Sequence, residues 1–520
     1  MTNTAKPRRG QARRLKHRQR AQGPAENAKP VRPGLLGGAY KPLSDDELLK
    51  VHHANLDVLE RLGIGEPPPL FVELASARGC TLGDDGRLRF PRSFVEEVID
   101  KARKEFVLYS RDPRHDLEIS SSRVHFGTGG AAVQILDLDI DKYRSPTIVD
   151  LYDCARLVDT LDNVHWFTRC CIATDIEDLF AFDISTAYAC VAGTQKHIGT
   201  AISLPEHVKP IVELFDAIAG GEGKFKKRPF CKVHASPIIS PLRFGEDAAG
   251  VMVEAIKYGM PINAITAGQS GATAPAPLAG ALVQTTAETL TALIFVHLID
   301  PHHPFIFSNW PFVSDLRTGS FSGGGGEEAL LNAASAQMIN YYGLPSGVAA
   351  GMADSKLPDA QAGYEKALTT ILAGASGANL VYESAGMLGS LLACSFESFV
   401  IDNEMLASVL RAVRGIEISD ETLAVDVIEQ TVNGPGHYLG ADQTIAIMES
   451  EYVYPVLGDR TTPTEWLENG SIGVRQRASD QANEILKKHF PQYIDPAIDK
   501  KIRERFPIKL PLESMTASRY

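Results

Sequence analysis

The chain has 520 residues, of which 44% are hydrophobic and 22% are charged, as in a soluble globular protein with a substantial core. That length is enough for one large domain with additions, or for two to four ordinary domains. No run of about eighteen apolar residues occurs, so we expect no membrane-spanning segment.

The net charge of -12 is unevenly distributed along the chain. Residues 1–34 hold ten Lys or Arg and a single acid, hence +9, and subtracting this from -12 leaves -21 on the remainder. A basic arm can contact nucleic acid, an acidic partner or the body itself, but this composition favours a solvated disordered tail. We therefore expect no role in nucleic-acid binding. The segment lacks the apolar stretch of a secretion signal, so we expect a cytoplasmic protein.

The seven cysteines are scattered, at positions 80, 154, 170, 171, 190, 231 and 394. No CxxC occurs, and Cys170 and Cys171 are the one close pair. This spacing is typical of reduced, buried thiols rather than of a disulfide framework. Neither the cysteines nor the histidines and carboxylates have the spacing of a metal site, so we expect no metal.

After the tail, residues 35–118 predict a small helical layer. An amphipathic helix follows Ser44 as its cap and ends near Gly63. A second helical stretch follows the prolines at 67–69, and a third begins near Pro91.

From residue 119 to about 420, short apolar strands alternate with helical stretches of ten to twenty residues. We predict eight strands, at 131–136, 164–170, 197–203, 230–236, 262–267, 304–309, 347–352 and 379–384. Eight alternating units favour an α/β fold, a closed (βα)8 TIM-type barrel. An open doubly wound sheet is the alternative, but "FGTGGAAVQ" is not the glycine fingerprint that it needs after its first strand. We predict that residues 421–520 form a helical cover.

Chemistry in such barrels lies in the loops that follow the strands. Those loops contain the following residues, in chain order: His234, Gln269, Trp310, Phe312, Arg317, Gly323, Gly324, Gly325, Gly326, Asp354, Lys356, Tyr382 and Glu383. Trp310, Phe312 and Tyr382, together with Tyr438, suggest a cage for an ammonium cation, because the faces of aromatic rings attract such ions. Core packing is the alternative for any single ring.

The four consecutive glycines before Glu327 allow three interpretations. They suit a phosphate cradle, a close approach of backbone to a large flat ligand, or a hinge. Glu327 and Glu328 weaken the first, because they already place carboxylates at the positive end of the next helix.

Several motifs together resemble the trimethylamine methyltransferase superfamily. They include "HHANLDVLERLGIG", "LRFPRSFVEEVIDKA", "GMADSKLPDAQAGYEK", "YESAGMLGS" and "GPGHYLGADQTIAIMESEYVYPVLGDR", in consistent order over roughly residues 40–490. The resemblance implies a TIM-type barrel that demethylates a methylated amine and passes the methyl group to cobalt on a separate corrinoid protein. Archaeal trimethylamine enzymes of the family carry pyrrolysine, and this chain has standard residues alone. It therefore resembles the branch of glycine betaine:corrinoid methyltransferases.

The resemblance also implies roles for the loop residues. Trp310, Phe312 and Tyr382 are expected to cage the ammonium group of a small quaternary amine, with Asp354 and Glu383 as countercharge. The expected partners for a substrate carboxylate are Lys356, Arg317 or His437. The remaining assigned substrate-binding residues are His234, Gln269 and Tyr438, and the assigned corrinoid-facing loop is Gly323, Gly324, Gly325 and Gly326. We expect no tightly bound cofactor, a corrinoid protein as methyl-accepting partner, and a homo-oligomer.

Two other functions fit the same predicted barrel. Lys356 or Lys232 could serve as the Schiff-base nucleophile of an aldolase-like lyase. A protein that binds or senses quaternary amines without catalysis is the third possibility.

Overall fold

The computed structural model describes residues 29–519. The basic tail predicted over residues 1–34 therefore lies outside the described residues, apart from its last few positions.

A small layer of helices and two-stranded sheets precedes the barrel. Its elements are β1 (Leu35–Leu36), α1 (Asp45–Arg61), α2 (Pro69–Ser76), β2 (Thr81–Leu82), β3 (Leu88–Arg89), α3 (Arg92–Lys101), β4 (Phe106–Leu108) and β5 (Leu117–Ile119). Ser44 caps α1 as predicted, in a capping box with Glu47 that satisfies amide groups at the helix start. The buried face of α1, with Leu56 and Leu59, packs against the body of the molecule.

Seventeen further strands lie between residues 123 and 395. They are β6 (Arg123–Phe126), β7 (Gln134–Leu136), β8 (Tyr143–Arg144), β9 (Trp166–Thr168), β10 (His197–Ala201), β11 (Cys231–Ala235), β12 (Ile238–Ile239), β13 (Arg243–Phe244), β14 (Ile262–Thr266), β15 (Gln269–Ser270), β16 (Phe305–Asn309), β17 (Phe312–Asp315), β18 (Ser320–Ser322), β19 (Ser346–Ala349), β20 (Leu380–Tyr382), β21 (Met387–Leu388) and β22 (Ala393–Ser395).

The helices between and after these strands cover the outside of the sheet. They are α4 (Ile148–Asp159), α5 (Leu179–Gly193), α6 (Pro205–Ala219), α7 (Lys224–Lys227), α8 (Glu246–Lys257), α9 (Leu278–Ile299), α10 (Gly326–Tyr341), α11 (Ala360–Ala375) and α12 (Phe396–Arg414). Asp359 caps α11, as predicted, by accepting a hydrogen bond from the Ala362 amide.

Eight of the strands form one parallel sheet, in the order β6-β20-β19-β16-β14-β11-β10-β9. A parallel bridge between Gly127, just after β6, and Trp166 in β9 joins the two ends of this sheet. Each of the eight strands is followed by a long helix. The predicted (βα)8 barrel is therefore confirmed, and β1 pairs antiparallel with β6 at its edge.

The predicted first barrel strand, at 131–136, is wrong. The first barrel strand is β6, Arg123–Phe126, and the predicted segment contributes β7 to a separate sheet of order β21-β22-β7-β8. Both segments are short and apolar, so composition does not distinguish them. Pairing with distant β20 and β9 places β6 in the barrel, and no local pattern encodes that pairing.

The smaller sheets arise in the loops after barrel strands, so they cover the carboxyl end of the barrel. One is the sheet of β7, β8, β21 and β22, another joins β15, β17 and β18, and a third is the β12-β13 hairpin.

The C-terminal part begins after α12. It comprises α13 (Asp420–Leu423), α14 (Val425–Val432), α15 (Asp442–Glu451), α16 (Pro463–Glu468), α17 (Val474–Lys488) and α18 (Pro496–Arg505). Helix α17 packs against α12 and α4, and α18 packs against α6. Residues 416–473 are mostly exposed and include apolar side chains such as Leu439 and Val456. The division of the chain into domains stays a prediction.

Helix α9 is long and apolar enough to span a membrane by length and composition alone, and it is the one such helix among the described residues. However, 78% of its most apolar window is buried inside the molecule. Its buried Glu288 accepts hydrogen bonds from the Ser240 hydroxyl and the Leu242 amide, each at 2.8 Å. These contacts are those of a core helix in a barrel.

Candidate active site

A cluster of aromatic rings surrounds Tyr382 at the carboxyl end of the barrel. The Tyr382 ring centroid lies 5.1 Å from Trp310, 5.2 Å from Trp166 and 5.4 Å from His234. These four residues belong to, or directly follow, four different barrel strands. The parallel strands thus bring together rings that are far apart in the sequence.

Two glycines on the barrel wall make room for these rings. A Cβ atom on Gly127 would lie 2.1 Å from Trp166 Cε2, and one on Gly199 would lie 2.8 Å from His234 Nε2. Any larger residue at either position would displace the neighbouring ring. Gly127, directly after β6, and Gly199, in β10, are therefore part of the site.

Lys232 lies beneath the rings. Its Nζ atom is 5.2 Å from the Trp166 ring centroid and 5.5 Å from that of Tyr382. Three lysines are buried in the part of the chain that the structure describes, and Lys196 and Lys366 both donate hydrogen bonds to oxygen atoms. Within the same residues, Lys232 Nζ has no hydrogen-bond partner. Burial lowers the pKa of Lys232 to about 7.

His234 takes part in a polar network across the barrel. Its Nε2 lies 3.4 Å from Thr168 Oγ1, and its Nδ1 lies 3.4 Å from Asn263 Nδ2. The Ser308 hydroxyl in turn donates to Asn263 Oδ1. Burial and the nearby Lys232 hold the pKa of His234 well below its usual range. The ring is therefore neutral at physiological pH.

Glu383 follows Tyr382 with its backbone in the left-handed region, at φ 63°. Its side chain is fully buried, and neither carboxylate oxygen has a hydrogen bond of normal geometry within residues 29–519. The Gly129–Gly130 backbone lies directly against it, since Cβ atoms there would come within 2.7 and 2.9 Å of its oxygens. Burial raises the pKa of Glu383 to about 8, although the nearby Gly130 amide slightly favours the charged form.

Glu328 is a second buried acid at this end of the barrel. It lies in the first turn of α10, and its carboxylate has no hydrogen-bond partner among the described residues. Burial, with the charges of Asp354 and Glu383, raises its pKa well above the usual range. Asp354 and Glu383 thus lie close enough to Glu328 for their charges to act on it.

The carboxylate of Asp354, by contrast, already accepts hydrogen bonds from neighbouring loops. Its carboxylate accepts hydrogen bonds from the Ser322 hydroxyl at 2.7 Å, the Gly323 amide at 2.7 Å and the Ser390 hydroxyl at 2.6 Å. Lys356 is exposed, and its ammonium group donates to the Asp354 carbonyl oxygen at 2.6 Å. The glycine run is therefore tied to the loop after β19.

The remaining predicted residues lie farther from the Tyr382 rings. Phe312 contacts Trp310 at 6.5 Å and Phe321 at 4.7 Å between centroids. Gln269 is half-buried and pairs with Phe312 between β15 and β17. The Arg317 guanidinium is 88% exposed and forms an ion pair with Asp315 at 2.9 Å.

His437 and Tyr438 lie exposed between α14 and α15. The structure does not bring either of them into the ring cluster: the described contacts of Tyr382 are with Trp166, His234, Trp310 and Lys232.

Trp166 and Glu328 are not predicted as site residues from the sequence. Lys232 is predicted there only as the Schiff-base nucleophile of the alternative lyase. Trp166 and Lys232 lie inside strands rather than in loops, where apolar or mixed residues are usually assigned to the core. The signal that marks Lys232 is a charged residue within the apolar strand "FCKVHAS".

The described surface also has a cleft of about 400 Å³ at the opposite, amino-terminal end of the strands, lined by Ser121, Ser122, Asn340 and Ser376 among others. It contains none of the aromatic or buried ionisable groups described above. We take the enclosed group of residues around Tyr382 and Glu383 as the candidate site, because it combines aromatic rings with buried ionisable side chains.

Comparison with known proteins places the chain in a family. Residues 8–508 match the family described as trimethylamine methyltransferase. A trimethylamine methyltransferase of Desulfitobacterium hafniense (strain DSM 10664 / DCB-2) is 33% identical over 471 residues, which cover 90% of this chain and 93% of that protein. A glycine betaine methyltransferase of Desulfitobacterium hafniense (strain Y51) is 30% identical, over 90% of this chain and 97% of that protein.

Among solved structures, the monomethylamine methyltransferase of Methanosarcina barkeri is 14% identical, with 90% of this chain and 92% of that chain covered and a TM-score of 0.49. The barrel is established by the strand pairing itself, without that likeness. The chain belongs to the trimethylamine methyltransferase family. It is a methyltransferase, and this membership favours methyl transfer over the lyase and the non-catalytic binding protein.

Proposed function

We propose that this chain transfers a methyl group from a quaternary amine of the glycine betaine type to the cobalt of a corrinoid held by a separate protein. The observation that carries the proposal is the group of rings around Tyr382, together with the buried Glu383 that follows Tyr382 in the chain. The glycine betaine methyltransferase among the relatives supports the choice of substrate. All residues of this chain are standard amino acids, so the proposed chemistry uses none of the electrophilic adducts that a modified residue would form.

The chemistry of a quaternary amine suits such a site. Its leaving group is a neutral tertiary amine, because the electrons of the breaking carbon–nitrogen bond neutralise the positive nitrogen. When bound, the reduced corrinoid supplies the nucleophile that accepts the methyl group. The tasks left to the protein are to hold the cation, to orient one methyl group and to exclude water.

The rings of Trp166, Trp310 and Tyr382 perform the first task in this proposal. An ammonium group within about 6 Å of an aromatic centroid gains about 0.5–2 kcal/mol per ring from the ring quadrupole. Trp310 and Trp166 both contact Tyr382, with centroid distances of 5.1 and 5.2 Å. A trimethylammonium group bound against the faces of these rings would lie at the strand end that carries Glu383.

Glu383 provides the countercharge. A carboxyl with a pKa of about 8 is mostly protonated at neutral pH, and a bound cation lowers that pKa by favouring the charged form. Binding of the substrate therefore releases a proton from Glu383. In this proposal Glu328, in the first turn of α10, is a second buried acid of the same kind.

Lys232 is the group that we assign to the substrate carboxylate. The expected partners Lys356 and Arg317 are exposed and already bonded to neighbouring oxygens. Lys232 instead lies at the rings with its Nζ unpaired among the described residues. A carboxylate there would form a charge-assisted hydrogen bond and raise the pKa of Lys232 toward its normal value.

Two glycine segments fit the approach of a flat corrin ring. Gly129 and Gly130 present bare backbone beside Glu383, and a Cβ on Gly326 would meet nothing within 4 Å. Gly324, in contrast, packs against Glu365. In this proposal Asp354 positions the corrinoid-facing run from Gly323 to Gly326, and Phe312 and Gln269 support it from strands β15 and β17. We also propose that several copies of the chain associate into a homo-oligomer.

The experiment is a methyl-transfer assay under anaerobic conditions with chemically reduced cobalamin and with the cognate corrinoid protein. A panel of glycine betaine, proline betaine, carnitine, choline and trimethylamine is offered, and loss of the reduced-cobalt absorption is recorded. We expect turnover with at least one carboxylated quaternary amine and none with trimethylamine. Transfer from trimethylamine alone would contradict the proposal.

A further inference from the structure

Four of the seven cysteines meet at one point in the core. Their Sγ atoms all lie within 4.8 Å of one another, and all four side chains are fully buried. The four are Cys154 in α4, Cys170 and Cys171 directly after β9, and Cys394 in the middle of β22. Nothing in their sequence spacing indicates this, since up to 240 positions separate them.

The spacing of the sulfur atoms suits a single metal ion. A tetrahedral zinc site with Zn–S bonds of about 2.3 Å places its sulfurs about 3.8 Å apart. The observed separations need to contract by no more than about 1 Å to reach that geometry. A cluster of several irons would also need room for its bridging sulfides among the thiolates, and four sulfurs this close leave space for one ion.

The other buried cysteines show that burial alone does not group the thiols. Cys80, Cys190 and Cys231 are also buried, yet none of them belongs to the cluster. Within the cluster, by contrast, the Sγ atoms of Cys154, Cys170, Cys171 and Cys394 all lie within 4.8 Å of one another. The four sulfurs therefore point at a common centre.

The cluster is built on well-paired backbone. Cys394 in β22 pairs with Ile135 in β7, and Cys171 forms a parallel bridge with Ala132. The Ala132 amide donates to the Cys170 carbonyl oxygen at 3.0 Å. Three separate elements thus hold the four side chains in place before any ligand binds.

We propose that Cys154, Cys170, Cys171 and Cys394 bind one thiophilic divalent metal ion in tetrahedral geometry, with zinc as the expected ion. Four thiolate ligands are typical of zinc or of a single iron. On binding, four sulfur–metal bonds form, the thiol protons pass to solvent, and the site has a net charge of -2. Arg169 interacts electrostatically with Cys170 and Cys171 and offsets part of that charge.

This site is structural rather than catalytic, because four protein ligands leave no position open for a substrate. It would fix the loop that approaches Glu383. That loop runs from Gly129 and Gly130, whose backbone lies against the Glu383 carboxylate, to Ala132, which pairs with Cys171. The backbone pairing of Cys171 with Ala132 thus connects the metal site to the loop that contacts Glu383, the residue that we assign as countercharge.

The test is elemental analysis of the full-length protein, purified anaerobically from cells supplied with zinc and iron. We expect about one ion per chain in the wild type, and at least a tenfold loss of it in Cys154→Ser and Cys394→Ser. Cys190→Ser is the matched control, because Cys190 is equally buried but lies outside the cluster. It should keep its ion.

A second measurement, on the wild type, tests the proposal even if the cysteine variants fail to fold. The reduced, metal-free wild type is titrated with Co²⁺, and we expect the intense visible bands and sulfur-to-cobalt charge-transfer bands of a tetrahedral thiolate site, at one ion per chain. A wild type that purifies without metal and gives no such spectrum would overturn the proposal. So would equal metal loss in Cys190→Ser, or peptide mapping that finds disulfides among the four cysteines in anaerobic protein.

Discussion

The side-chain nitrogen of Lys232 lies 5.2 Å from the ring centroid of Trp166, deep inside the barrel. A lysine in this position is costly, because its charge has lost water and has gained no hydrogen bond from the described residues. Its presence in an otherwise apolar strand favours a functional role. The site around Tyr382 therefore contains one group suited to an anion, Lys232, and one suited to a cation, Glu383.

Replacing Lys232 by Met should impair recognition of the substrate carboxylate. We expect the affinity for glycine betaine to fall by about tenfold to a hundredfold, since a hydrogen bond to a charged group contributes about 1.5–3 kcal/mol. The affinity for tetramethylammonium, which has no carboxylate, should not fall. Isothermal titration calorimetry with both ligands measures this difference.

Lys356→Met serves as the control for that experiment, because Lys356 is exposed at the same end of the barrel. If Lys356→Met weakened glycine betaine binding as much as Lys232→Met, or more, the carboxylate partner would be Lys356, one of the three partners expected from the family resemblance, with Arg317 and His437. Borohydride with carbonyl compounds should leave Lys232 unmodified, because the protein is a methyltransferase and not a Schiff-base lyase.

The aromatic residues should differ in their effect on cation binding. Trp310→Leu removes a ring that contacts Tyr382, and we expect about a two- to thirtyfold weaker binding of tetramethylammonium, the equivalent of about 0.5–2 kcal/mol. Phe312→Leu is the matched variant, because Phe312 contacts Trp310 but has no described contact with Tyr382. It should weaken binding less. The reverse order would place the cation nearer to the β17 strand, outside the four-ring cluster.

The binding of a quaternary ammonium ion should depend on pH through Glu383. The ionised carboxylate binds a cation better than the neutral acid, and the pKa of Glu383 is about 8. Affinity for tetramethylammonium should therefore rise between about pH 7 and pH 9, with release of a proton. Glu383→Gln should reduce the rise to the part that comes from deprotonation of Lys232, whose pKa is about 7. An unchanged pH profile in Glu383→Gln would exclude this carboxyl as the countercharge.

The same raised pKa affects stability. Folded Glu383 holds its proton more tightly than the unfolded chain does, so its contribution to stability is complete below about pH 4.5 and is lost as pH rises through about 8. At pH 9, Glu383→Gln should therefore have a higher melting temperature than the wild type. Glu327→Gln, an exposed carboxylate of the same helix end that carries Glu328, should not.

Asp354 should behave as a residue that positions loops. Asp354→Ala removes the acceptor of three hydrogen bonds, from Ser322, Gly323 and Ser390, so we expect the free energy of unfolding to fall by about 1–3 kcal/mol. Asp359→Ala, which removes the cap of α11, should cost about 1 kcal/mol and serves as a comparison. Urea titration measures both. Unchanged stability in Asp354→Ala, with lost substrate binding, would instead indicate direct contact with substrate.

The barrel could be predicted because the pattern of a strand followed by a helix is repeated eight times along the chain. Apolar strands and amphipathic helices alternate along the chain, and an error in one strand does not change the count. The first strand was misplaced because β6 and β7 have similar local patterns, and the long-range pairing of β6 with β20 decides between them.

Site residues at the ends of strands could be predicted from the sequence, whereas site residues inside the barrel could not. Tyr382 and Glu383 directly end the eighth strand, so the fold class alone points to them. Trp166 and Lys232 resemble core residues in the sequence, and the contact between their buried side chains follows from strand register. The grouping of Cys394 with Cys154 depends on how strand β22 packs near helix α4, which no spacing in the sequence records.

The most direct test is a crystal structure of the protein with glycine betaine bound. We predict that the trimethylammonium nitrogen lies within about 6 Å of the ring centroids of Tyr382 and Trp310, with the substrate carboxylate in hydrogen-bond distance of Lys232 Nζ. Glycine betaine bound at the opposite end of the barrel, in the cleft beside Ser122 and Asn340, with the Tyr382 cluster unchanged, would contradict the account.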